Sequence, residues 1–134
     1  MVRKRVFRHI FKFHGFMGSL KLAIKGLTYL FLYHRNMRIM FMLGATALLC
    51  GIYFKLRGIE LVALCITIAL VFVAEIFNTA IEMLMDMLTA KYHIRIKLVK
   101  DIAAAVVMVT CVNALIVGYI LFAKRLFFTA RHLF

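Results

Sequence analysis

Residues 102 to 123 form a run of 22 side chains without a charge. As a helix rising 1.5 Å per residue, such a run covers about 33 Å, enough for a hydrocarbon core of about 30 Å. A second uncharged run extends from Leu61 to Ala74, and a third, of 16 residues, from Ile39 to Phe54. The third is shorter than the ~20 residues a span needs, but Arg38, Lys55 and Arg57 flank it and can extend it by snorkelling. The chain is 66% apolar and has no proline. A soluble fold of 134 residues could not bury that much apolar side chain, so lipid must cover part of it. The expected fold class is an all-α membrane protein, one integral-membrane domain over 1–134. Its expected transmembrane helices lie at 37–55, 61–88 and 101–123.

The second expected span is unusual in carrying acids. In Glu75-Ile-Phe-Asn-Thr-Ala-Ile-Glu-Met-Leu-Met-Asp86, the polar residues Glu75, Asn78, Thr79, Glu82 and Asp86 are spaced i, i+3, i+4, i+7 and i+11. At ~100° per residue they share one stripe about 100° wide. Carboxylates near lipid are costly, so this stripe must face protein, a cation or water, and a functional site is the default reading. Asn78 and Thr79 would also serve as interhelical hydrogen-bond partners.

The net charge is +13, from 18 basic and 5 acidic residues. Nucleic acid is one partner for such a balance, but the basic residues gather at the ends of apolar runs, which suits anionic lipid head groups and argues against nucleic acid. Residues 1–35 are basic and amphipathic: Leu20, Ile24, Leu27 and Phe31 make one stripe with Lys21 and Lys25 turned away. An interfacial surface helix is expected there. The apolar start is interrupted by Arg3, Lys4, Arg5, Arg8 and Lys12, which is unlike a signal peptide. Thirteen basic residues fall in the segment through Arg38 or between 91 and 100, against five on the other side. The excess places the N-terminus and the 91–100 loop in the cytoplasm, in a multi-pass inner-membrane arrangement. Cys50, Cys65 and Cys111 lie inside apolar runs without metal-ligand spacing and read as small buried hydrophobes.

The acids have a chemistry in common. Hard oxygen donors suit Mg²⁺, which keeps waters and is shared with substrate phosphates. Lys100 beside Asp101 offers a point charge for phosphate, and a carboxylate one or two turns deeper can take a proton from a lipid hydroxyl. Together these describe phosphoryl transfer to a lipid, with an ion or proton pathway as the other physical reading. No Walker-type glycine run, protein-kinase motif or HExxH is present. Asp101 would equally cap a helix, and Lys100 would equally anchor a helix end.

Residues 75–86, Tyr92-His93 and Lys100-Asp101-Ile-Ala-Ala closely resemble the prokaryotic diacylglycerol kinase and undecaprenol kinase family. Ser19-Leu-Lys-Leu-Ala-Ile-Lys-Gly26 and Arg35-Asn-Met-Arg-Ile39 match its N-terminal pattern, and the resemblance covers roughly 15–123. It implies a homotrimer whose protomers have a surface helix and three spans. It implies transfer of the γ-phosphate of ATP, with Mg²⁺, to a membrane lipid alcohol, undecaprenol or diacylglycerol. By position, Glu75 resembles the general base with Asn78 beside it, and Glu82 a metal-binding glutamate. Tyr92, His93, Lys100, Asp101 and Asp86 match positions near the nucleotide. His34 stands where the family carries its second metal-binding glutamate, and an imidazole favours softer divalent metals than Mg²⁺. Leu22 replaces a tyrosine common near the nucleotide.

Overall fold

The computed structural model describes residues 16–88 and 94–131, all helical apart from short connections. Four helices follow in order: α1 Phe16–Tyr33, α2 Arg35–Tyr53, α3 Ile59–Leu88 and α4 Ile94–Arg131. The chain divides into two compact units, one ending at His34 and one beginning at Arg35. In the first, α1 has no buried residue and shows Phe16, Met17, Leu22, Ile24 and Leu32 on its surface. The Tyr29 and Tyr33 rings lie 4.8 Å apart, and the His34 amide closes the last turn by donating to Leu30 O at 2.9 Å.

The second unit holds three helices long and apolar enough to cross a membrane: α2, α3 and residues Ile94–Ala123 of α4. The helix containing the 102–123 run starts seven residues before the expected 101 and continues past 123. α2 and α3 start two residues before the expected 37 and 61. These extensions hold charged residues, which a hydropathy argument cuts off but helical hydrogen bonding does not.

α3 and α4 pack antiparallel and are tied at both ends. Lys100 Nζ donates to Asp86 Oδ1 at 2.7 Å, and Arg125 Nη2 donates to Glu60 Oε2 at 2.7 Å. The two ties lie 26 residues apart on α3 and 25 apart on α4, so the helices keep register between them. The separation corresponds to about 39 Å along the axis. That is close to a bilayer with its head groups, about 40–45 Å, so both ion pairs belong at the wet levels.

α2 reaches α3 through glycines. A Cβ on Gly44 would stand 3.0 Å from Ile68 Cγ2, and one on Gly51 would stand 2.7 Å from Leu64 Cδ2 and 3.1 Å from Leu56 Cδ1. Small residues permit this approach between apolar helices, where dispersion replaces the hydrophobic drive. α2 ends in a Schellman motif: the Leu56 amide donates to Gly51 O, the Lys55 amide to Ile52 O, and Lys55 takes a left-handed φ of 56°. Leu56, 4% exposed, then packs back on the helix end with Leu64 and Leu121. Lysine occupies a position that glycine fills without strain, at a cost of roughly 1 kcal/mol. Lys55→Gly is expected to raise the thermal stability of the detergent-solubilised protein by that order, whereas Gly51→Val is expected to lower it by parting α2 from α3.

Candidate active site

The buried residues of α3 are Leu64, Thr67, Ala74, Glu75, Asn78 and Thr79. They recur at helical spacing on one face, and the polar stripe continues the apolar one without turning away from the protein. Glu75 and Thr79 are each 2% exposed and Asn78 is 7% exposed. Glu82 is half-buried and Asp86 exposed. The stripe is thus a gradient: its deep end is covered by protein and its outer end reaches the surface. From Asp86 back to Glu75 is about 16 Å along the helix.

Within the gradient the side chains are connected. Asn78 Nδ2 donates to Glu82 Oε1 at 3.1 Å, an i, i+4 contact that holds the glutamate against its own helix. Asn78 Oδ1 is buried and accepts from no group among the described residues. A buried amide oxygen without a partner is costly, and such atoms call for an explanation. Asn78 stands between the two glutamates, so a donor brought by a ligand would be received between them. At the outer end, Asp86 binds Lys100, whose side chain is therefore committed to a carboxylate. Asp101 follows on α4, exposed, in the wall of a shallow hollow shared with Ile94, Arg95, Lys97 and Leu98.

The expected site residues separate as follows. Glu75, Asn78, Glu82, Asp86, Lys100 and Asp101 all belong to α3 and the start of α4, in one unit. His34 belongs to the other unit, between α1 and α2, with its ring 5.9 Å from that of Tyr29. Tyr92 and His93 lie outside the described residues. Among the described residues no three of His, Cys, Asp and Glu form a cage for a metal. Glu82 supplies hard carboxylate oxygen with one atom oriented by Asn78, a partial donor set that fits an Mg²⁺ ion completing its shell with phosphate and water. Sequence reasoning passed over Glu60–Arg125, because its partners are 65 residues apart. It also passed over Arg95 and Lys97, which read as ordinary loop charge.

The pairing of Asp86 with Lys100 has a direct test. Asp86→Ala and Lys100→Ala are each expected to lower the unfolding temperature in micelles. The double variant is expected to lose less than the sum, because both single changes break the same contact.

Residues 21–122 match the family profile described as prokaryotic diacylglycerol kinase. A Synechocystis protein named diacylglycerol kinase is 34% identical over 101 residues, which are 75% of this chain and 58% of that protein. An undecaprenol kinase of Bacillus subtilis is 35% identical over 92 residues, 69% of this chain and 75% of that protein. The chain thus spans somewhat over half the length of the first relative and three quarters of the second.

Proposed function

The chain belongs to the prokaryotic diacylglycerol kinase family, and from that premise we propose that it is a membrane lipid kinase. In this reading it moves the γ-phosphate of ATP to a lipid alcohol, undecaprenol or diacylglycerol, at the cytoplasmic face of the inner membrane. The observation that carries the proposal is the buried Glu75 one turn below the Asn78–Glu82 hydrogen bond on a membrane-length helix, with Asn78 Oδ1 left as a buried acceptor.

Each residue has a step. Glu75, at the covered end, takes the proton of the lipid hydroxyl as its oxygen attacks the γ-phosphorus and ADP leaves. Asn78 Oδ1 receives a donor from the bound substrate, and Asn78 Nδ2 keeps Glu82 oriented. Glu82 would hold Mg²⁺ together with phosphate oxygens, and the ion supplies neutralisation of phosphate charge. Asp86 positions Lys100, which with Asp101 faces the nucleotide end. Tyr92 and His93 join the nucleotide side by family position. α1 lies in the interface with its apolar side toward lipid, the N-terminus is cytoplasmic, and the working form is a homotrimer. The depth difference of about 10 Å between Glu75 and Glu82 supports this division, since a lipid alcohol arrives from the hydrocarbon and ATP from water.

A second reading is a protein of the same descent that binds a lipid or partner without transferring phosphate, or that uses another donor or acts as a phosphatase. His34 favours it, as an imidazole beside Tyr29 where the family has a carboxylate. The deciding assay is transfer of labelled γ-phosphate to extractable lipid, with each alcohol and with Mg²⁺, Mn²⁺ or Zn²⁺. The native chain is expected to make phosphorylated lipid, and Glu75→Gln to lose about a hundredfold or more while remaining folded. Turnover retained in Glu75→Gln would remove the proton-acceptor role. Product from His34→Glu but none from the native chain would favour the second reading.

A further inference from the structure

α2 and α4 each pack against α3, and between them runs an apolar groove of about 350 Å³. Gly44 and Ala47 of α2, Thr67 and Val71 of α3, and Ala114 and Gly118 of α4 line it. The space is open at Gly118, where an added Cβ would meet nothing within 4 Å. The few polar groups of the lining are spent or weak: the Thr67 hydroxyl donates to Ala63 O at 2.8 Å, and Cys111 is a small apolar thiol. A ligand seated here is hydrocarbon. The groove belongs to one leaflet. On α3 it extends from Leu64 to Phe72, and on α4 from Phe122 back to Cys111. Those ends lie about 6 and 18 Å from Glu60, and about 5 and 21 Å from Arg125. The groove therefore starts beneath the Glu60–Arg125 pair and stops near the middle of the bilayer, the depth that one acyl chain fills. Glu75 and Glu82 lie beyond its inner end.

We propose that this groove holds one acyl chain of an anionic phospholipid in the leaflet on the Glu60–Arg125 side. The charge at its mouth selects the head group. Leu56 packs with Leu64 at the outer end of the groove, and Lys55 and Arg57 flank Leu56 in the turn between α2 and α3. Both cations are exposed, and neither enters an ion pair among the described residues. Arg125 is held by Glu60 at 2.7 Å, which leaves Lys55 and Arg57 to meet a phosphodiester. Size favours a lipid chain over a helix of a second copy. A helix with its side chains is about 10–12 Å across, too wide for about 350 Å³ spread over about 12 Å of α3. The site stands apart from the lipid-kinase reading, whose residues gather toward the Asp86–Lys100 end.

The test maps lipid contact and needs no turnover. Full-length protein in phosphatidylcholine nanodiscs receives a fixed, small fraction of phosphatidylglycerol carrying a diazirine on one acyl chain, and photoadducts are located by peptide mass. Ile66, Leu70 and Val73, about half exposed on the same stretch of α3, report ordinary bilayer contact. Unlabelled phosphatidylglycerol is expected to compete away adducts at Leu64, Thr67, Ile68 and Val71 and to leave those three unchanged. Lys55→Gln and Arg57→Gln are each expected to cut the groove adducts by about fivefold. Arg38→Gln, the same charge loss on an exposed residue at the other end of α2, is expected to leave them unchanged. Gly118→Phe, whose ring fills the groove, is expected to remove them, and Gly118→Ala to keep them. A phosphatidylcholine probe that labels the groove as strongly as phosphatidylglycerol would overturn the proposal, as would Lys55→Gln and Arg38→Gln behaving alike. Groove residues that take no adduct from either lipid would overturn it in favour of a second copy covering this face.

Discussion

Hydrocarbon cannot satisfy a carboxylate or a backbone amide, and most of this structure follows from that constraint. The backbone resolves it by helical hydrogen bonding along α2, α3 and most of α4. Glu75 cannot resolve it alone. It is shielded because α4 lies antiparallel along α3 and the stripe of α3 is turned toward protein. The two ion pairs preserve that register by joining the helices where water or head groups solvate charge.

The same constraint orders the chemistry by depth. Along a single helix face the polar groups pass from almost fully covered Glu75 and Thr79, through Asn78 and half-buried Glu82, to exposed Asp86. Near Asp86, charged partners from water can be accommodated, as Lys100 already is. Near Glu75 any additional polar group must be hydrogen-bonded as it enters. The unpartnered Asn78 Oδ1 lies between these regimes and is the one buried side-chain acceptor without a donor among the described residues. A helix of 30 residues therefore serves both as a membrane span and as a graded path between hydrocarbon and water.

Uncharged runs locate spans well because charge is expelled from lipid, and all three runs lie in long helices. Their ends were less legible. The helix around 102–123 begins at Ile94, since Arg95, Lys97 and Lys100 are compatible with helix but not with hydrocarbon. That the 39–54 run ends at Lys55 and Arg57 was visible from their charges. That Lys55 would adopt a left-handed φ was not, because the reason is Leu56 folding back on Gly51 and Leu64. Glu60–Arg125 and Asp86–Lys100 depend on how two helices align, which no local spacing encodes.

From the sequence alone came the helical membrane class, the three apolar runs and the shared face of Glu75, Asn78, Glu82 and Asp86. These depend only on transfer from water to hydrocarbon and on 3.6-residue periodicity. The tertiary structure decided which members of that face are covered, which cation Asp86 holds, and that Asn78 spends its amide on Glu82 while keeping a buried oxygen unpaired. Those outcomes depend on the register between helices, and register is a property of packing two surfaces together.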